Sequence, residues 1–292
     1  MEQKHITHLA RSAMNKLAVL SHGGHKETKE LFKTKKRQFP FCFTLNWNGE
    51  NNADYALHKP TQTGQSMFLL YELVRRDHPP FEYYMFCDDD VLFPGGDINK
   101  RITGLLEEYK PLAAWFPIVL KPTGKKRAWC IRKVSEIKGV QRSCCSDECT
   151  HIYHYSVLEN LYPFLFHGSM WTVNFIDWVL YNLHPAKCMR FSDIWVRNSG
   201  HRACGKGHGL LRETWPITRE IWDPVLKKRF GAFKDHKEWL IKHNAEIAGD
   251  GVSKKEVVLS DISGMVKTDE SAWQNRKWLL PEYEKFITKG MP

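Results

Sequence analysis

Tyr83-Tyr84-Met85-Phe86-Cys87-Asp88-Asp89-Asp90-Val91-Leu92-Phe93 runs from aromatic and apolar residues straight into three carboxylates and then turns apolar again. The rings and the absence of any charge over Tyr83–Cys87 predict a buried strand. Three adjacent carboxylates repel one another, and apolar flanks on both sides do not suit an ordinary surface turn. A strand that ends by presenting acids to a cation reconciles the two. Hard oxygen ligands select Mg2+ or Mn2+. Such an ion takes one or two carboxylates and completes its shell with substrate phosphates and water. In open α/β sheets, ligands bind outside the carboxyl ends of the strands. The stretch therefore reads as a metal–diphosphate site.

Working outward, short apolar runs alternate with helical patterns, the signature of an α/β sheet. Leu17–Leu20 reads as a strand entering the loop Ser21-His22-Gly23-Gly24, followed by a helix over Lys26–Lys36. Phe39–Leu45 reads as a second strand closed by Asn46-Trp47-Asn48-Gly49, with a polar loop over Glu50–Pro60. Met67, Leu70, Tyr71 and Val74 share one face of a helix over Gly64–Arg76, stopped by Asp77-His78-Pro79-Pro80. Asp97 is placed to cap a helix with Ile98, Ile102, Leu105, Leu106 and Tyr109 inward. A strand over Leu112–Leu120 is expected to meet an edge or bulge at Pro117.

Lys121–His151 is polar and basic and reads as loops. Tyr153–Leu158 reads as a strand, Phe164–Gly168 as a buried strand or turn, and Thr172–Leu183 as a helix. Met189–Phe191 is expected to lead through Ser192-Asp193 into a short helix. His201–Gly209 is glycine-rich, and the chain from Arg212 onward shows no strong strand signal. The expected division is a catalytic domain over 1–210, with a donor half about 17–120 and an acceptor half about 121–210. A helical or irregular extension over 211–292 packs on it.

The 292 residues suffice for a sizeable core. A composition that is 42% hydrophobic and 26% charged is globular rather than disordered. The net charge of +10 attracts anions: nucleic acid, an anionic membrane or a nucleotide diphosphate. Part of it lies in the run Lys33, Lys35, Lys36 and Arg37, read as a solvated face. The start of the chain lacks the apolar segment of a secretory signal, and no stretch reaches the about 18 apolar residues of a membrane span. Cys42 and Cys87 sit in apolar runs, as free thiols do in a reducing compartment. A soluble, cytoplasmic protein is expected. Cys144, Cys145, Cys149, His151 and His154 have residue types that suit zinc in a spacing that matches no established zinc pattern.

An apolar strand ending in Asp-x-Asp, here Asp88 and Asp90 around Asp89, resembles the DxD motif of GT-A glycosyltransferases. The likeness runs by order of elements over Leu17–Gly209. It implies an α/β, GT-A-like (Rossmann-like) fold with a mixed, mainly parallel sheet flanked by helices. It also implies Mn2+ or Mg2+ on Asp88 and Asp90, bridging the diphosphate of a nucleotide-sugar, with Asp88 and Asp89 near the donor. UDP is the commonest carrier in that fold, and the acceptor would be a glycan or glycoprotein. Carried onto this chain, the donor would meet Ser21 and His22 after the first strand, Asn46 after the second, and Lys59 and Gln65 ahead of the metal strand. His208, in Gly205-Lys206-Gly207-His208-Gly209, would be a third metal ligand, with His201 its rival, and Lys206 would face the leaving diphosphate. Asp193 is the chosen base for the acceptor hydroxyl of an inverting reaction, with Asp177 the weaker alternative and Trp195 beside an acceptor sugar. Soluble bacterial and large-virus glycan-building transferases are similar in size.

Two other classes use parts of the same pattern. A nucleotidyltransferase acting on a sugar phosphate would employ the same carboxylates, with Ser21-His22-Gly23-Gly24-His25-Lys26 a faint phosphate loop. A basic, aromatic nucleic-acid binder would use the charge, but it gains nothing from three aspartates at a strand end, so nucleic acid is the less favoured partner.

Overall fold

The computed structural model describes residues 15–24, 28–48, 50, 52–57, 63–120, 139–142, 149–160, 187–198 and 287–289. Its spine is β4 (Phe81–Asp88), with β1 (Asn15–Gly23) parallel beside it from Asn15↔Phe81 to His22↔Asp88. Tyr83 to Cys87 are each at most 2% exposed. A strand covered on both faces reads as a continuous apolar run rather than an alternation, which is why this stretch dominates the sequence.

The remaining elements build outward from that pair. On one side lie β2 (Cys42–Asn46), β3 (Tyr55–Leu57) and β12 (Ile287–Lys289). On the other lie β9 (Thr150–His154), β6 (Ala113–Trp115), β10 (Cys188–Phe191) and β8 (Val140–Arg142). The nine-stranded order is β12-β3-β2-β1-β4-β9-β6-β10-β8. Strands β3, β2, β1 and β4 are mutually parallel, and β9, antiparallel to both β4 and β6, returns β6 and β10 to the same direction. The carboxyl ends of six strands thus share one edge. A small second sheet, β5-β11-β7, joins Val91–Leu92, Val196–Asn198 and Ile118–Leu120.

Helices cover both faces. Tyr71 of α2 (Thr63–Asp77) packs edge-on to Tyr84, with ring centroids 5.0 Å apart, on the face carrying Leu20 and Phe86. The opposite face carries Leu17, Val19, Met85 and Cys87 under Ile98, Ile102 and Leu106 of α3 (Ile98–Tyr109). Asp97 caps α3 as expected, its Oδ1 accepting from Lys100 N at 3.1 Å. Lys110 ends the helix at φ 45°, its N–H bonded to Leu106 O. The helix α1 (Thr28–Gln38) buries the stripe Thr28, Phe32 and Lys35.

Several sequence expectations need correction. Ser21–Gly23, read as a loop, extends β1, and Lys121–His151, read as loops, holds β8 and the first two residues of β9. The polar loop over Glu50–Pro60 contains the buried strand β3, held to β2 by Asp54, whose carboxylate accepts from Thr44 N and Oγ1 at 2.9 Å each. The strand over Leu112–Leu120 is two strands in two sheets. Pro117, with no N–H to give a ladder, stands between β6 and β7, and its carbonyl accepts from Val196 N. The strand over Tyr153–Leu158 stops at His154 and becomes the helix α4 (Tyr155–Asn160), because the His154 ring accepts from Ser156 N at its start. After Ser192-Asp193 the chain forms β11 rather than a helix. The expected elements at Phe164–Gly168 and Thr172–Leu183 lie outside the described residues.

Candidate metal and nucleotide site

The parallel register brings three strand ends together: His22 stands beside Asp88, and Gly23 beside Asn46. Asp89 N donates to His22 O at 2.9 Å, and Asp88 N to Cys149 O at 3.3 Å. The acidic turn is thereby tied to the strands on both of its sides.

The three aspartates have different surroundings. Asp88 is partly exposed, and its Oδ1 lies 3.5 Å from Nε2 of His22. His22 is buried, and its Nδ1 meets Ser66 Oγ of α2 at 3.2 Å. Burial pushes the imidazole down from 6.5 to about 4, against the pull of Asp89 and with the push of Lys35. His22 is therefore neutral at neutral pH and offers Asp88 a dipole rather than a charge. Asp89, 2% exposed, turns inward: its Oδ2 accepts from Thr28 Oγ1, and its backbone carbonyl accepts from Lys35 Nζ. Its carboxylate fills the space above Gly23 so closely that a Cβ there would lie 2.0 Å from Asp89 Cγ. Asp90 is buried at 6% exposure.

The other named residues are spread over several places. His22 lies at the acidic turn, and Gln65 lies in the first turns of α2, one residue before Ser66. Asn46 is buried and its side chain shapes its own loop: Oδ1 accepts from Asn48 N at 2.8 Å and Nδ2 donates to Asn52 at 2.7 Å. That loop lays the half-buried Trp47 ring against Gly24, where a Cβ would meet the indole at 2.8 Å. Ser21 is fully buried and alternates onto the face opposite His22.

Asp193 is exposed in the turn between β10 and β11. Its Oδ1 accepts from Gly139 N at 3.0 Å and its carbonyl from Arg101 Nη2 at 3.1 Å. Lys59, Asp177, His201, Lys206 and His208 lie outside the described residues. The chain leaves for the last three at Asn198, which pairs with Val91, the residue after Asp90.

Of the cysteine–histidine cluster, Cys144 and Cys145 lie outside the described residues. His151 stacks on Tyr153 at 5.9 Å, and His154 points to the other face of β9 and bonds Ser156 at 2.7 Å. The two-residue period of a strand separates this pair. Among the described residues no three His, Cys, Asp or Glu side chains converge to hold a metal. Asp88 and Asp90 still suit Mg2+ or Mn2+, whose shell needs only one or two carboxylates beside phosphate and water.

Sequence reasoning missed Thr28, Lys35 and Ser66. The i, i+4, i+7 spacing of Thr28, Phe32 and Lys35 was the available signal, since it puts one lysine of the basic run on the inner face.

No family model matches the chain, and no curated protein does either. Among solved structures, the chain is similar to "GalNAc-T7 with UDP, GalNAc and Mn2+" at 8% identity and a TM-score of 0.51, over 94% of this chain and 57% of that one. The fold is GT-A-like. This chain thus spans little more than half the length of the GalNAc-T7 chain. Two further structures also match: A197 from STIV, at 15% identity and TM-score 0.38 over 63% of this chain and 84% of that one, and a glycosyltransferase involved in the glycosylation of the major capsid of PBCV-1, at 18% and 0.30 over 58% and 68%. On this GT-A-like sheet the acidic turn sits at the carboxyl edge of the parallel strands. Among the described residues, no helix is long and apolar enough to cross a membrane.

Proposed function

We propose that the protein is a metal-dependent glycosyltransferase that moves a sugar from a nucleotide-diphosphate donor, a UDP-sugar, to a hydroxyl of a glycan or glycoprotein. One observation carries this reading: β4 delivers Asp88-Asp89-Asp90 to the shared carboxyl edge of a GT-A-like sheet, directly beside the end of β1. That is where an open α/β sheet binds ligands, and the donor atoms are hard oxygens.

Asp88 and Asp90 would hold Mn2+ or Mg2+, with His208 as a third ligand from the segment that departs beside Val91. Bound there, the ion supplies Lewis-acid stabilisation of a diphosphate leaving group. The chain's own residues do the rest. His22 and Ser66 orient Asp88, the half-buried Trp47 offers a ring face to the base, and Gln65, Lys59 and Lys206 approach the ribose and diphosphate. Asp193 takes the proton of the acceptor hydroxyl in an inverting transfer. Its exposure and its place just after the carboxyl end of β10, on the same edge of the sheet, are the grounds for that role.

Isothermal titration of UDP, GDP, CDP and ADP, with and without Mn2+, tests the reading on the wild type and on Asp90→Ala. UDP should bind only with Mn2+, and the variant should lose at least about tenfold in affinity, the cost of removing a charged ligand. No binding of any nucleotide with Mn2+ present would sink the proposal. Release of pyrophosphate instead of free UDP during turnover would move it to nucleotidyl transfer.

A further inference from the structure

Three adjacent aspartates invite the idea that a divalent ion alone makes them tolerable. The fold supplies a cation of its own. Lys35 is 1% exposed and spends its ammonium on the backbone carbonyl of Asp89. A lysine is almost never so buried without a counter-charge. The same helix stripe supplies Thr28, whose hydroxyl binds Asp89 Oδ2, and Gly23 leaves the gap that the carboxylate fills. The hydrogen bonds of Asp89 run inward, to Thr28 and Lys35 of α1 and to the carbonyl of His22.

We propose that Lys35 is the resident counter-ion of the acidic turn, and that Asp89 is a positioning residue rather than a metal ligand. The inference rests on the metal-site reading above and assigns its three aspartates unequal roles. Lys35 and Thr28 draw the middle carboxylate out of the cation's reach. Two negative charges are left at the edge, and the turn keeps its shape before metal arrives. A cation then binds a preformed turn and need not neutralise three charges at once.

The experiment uses Lys35→Met, Asp89→Asn, the double variant and Asp90→Asn, each as the full chain. Two readouts are taken: urea unfolding in EDTA, and the gain in Tm on adding Mn2+ with UDP. Asp89→Asn should keep Mn2+–UDP binding within about threefold of wild type, because an amide still accepts from Thr28, whereas Asp90→Asn should lose at least about tenfold. Lys35→Met should lower the metal-free Tm and show a larger gain with Mn2+ than wild type, since the ion now supplies the missing charge. The double variant should return that gain to the wild-type value. In EDTA, its unfolding constant should be at least about tenfold smaller than the two single effects combined predict.

Asp89→Asn losing Mn2+ as fully as Asp90→Asn would overturn the proposal, as would additive effects of Lys35→Met and Asp89→Asn. If Lys35→Met does not fold, Lys35→Gln, which removes the charge but keeps a polar end, runs the same cycle with Asp89→Asn, and additivity there overturns it equally. A wild type that never responds to Mn2+ or UDP defeats the metal-site reading instead, while the cycle in EDTA still tests the counter-ion.

Discussion

At the scale of single residues, space and protons both act on the acidic turn. Gly23 is a glycine for room: a methyl there would sit 2.0 Å from Asp89 Cγ, an impossible approach in a packed corner. Gly23→Ala should therefore push Asp89 off Thr28. The cost should be about 1–3 kcal/mol of overpacking, measured by urea unfolding, together with loss of Mn2+-dependent UDP binding. An unchanged midpoint would show that the corner is roomier than its contacts say. His22 adds a pH dependence in the metal-free protein. Its folded value of about 4 lies below the unfolded 6.5, so between these values the unfolded chain binds more protons. Stability is then fully present above pH 6.5 and falls as pH drops toward 4. At about 1.4 kcal/mol per unit, the gap is worth about 3 kcal/mol. His22→Gln should flatten that part of the stability–pH curve relative to wild type, and parallel curves would contradict the assignment. Residues of this kind were only half legible in the sequence. Asp88 and Asp90 stood out because charge beside an apolar run is rare, whereas Lys35 was hidden in a basic run whose other members, Lys33, Lys36 and Arg37, are not buried.

At the scale of elements, the apolar pattern could be read wherever it was long. Tyr83–Cys87, the α2 stripe and the Asp97 cap are all found where the sequence put them. Short elements escaped for physical reasons. The strand β3 has three residues and is held by the Asp54–Thr44 pair rather than by a period of its own. The boundary between β9 and α4 is set by a histidine ring accepting from a backbone N–H, a local contact that no hydrophobic period reveals. The central strand gives an element-level prediction. Phe86 is fully buried between Tyr71 and Tyr153, at centroid distances of 6.5 and 6.1 Å. Phe86→Ala should cost about 3–5 kcal/mol in chemical denaturation with an unchanged slope. The same burial pushes the Cys87 thiol up to about 11, so it should react with a thiol reagent only as the protein unfolds. Fast labelling in native buffer would show that β4 opens locally.

At the scale of the molecule, the parallel edge follows from the sequence order, but its closure does not. The strand β12 returns from the far end of the chain to pair antiparallel with β3, as Ile287↔Leu57, Thr288↔Ala56 and Lys289↔Tyr55. Three residues, Ile-Thr-Lys, carry too little pattern to announce this, so the reading from Arg212 onward saw no strand. The pairing matters because β3 would otherwise be an open edge, which invites association with other chains, and because β3 buttresses β2, whose end carries the Trp47 loop. Removing residues 287–292 deletes three cross-strand pairs, each worth about 0.2–1 kcal/mol. The truncated chain should lose about 1–2 kcal/mol in urea unfolding and gain a concentration-dependent dimer or aggregate in sedimentation. Nucleotide affinity should weaken only as the Trp47 loop loosens. Full stability with a strictly monomeric truncation would mean that β3 is protected by something other than β12.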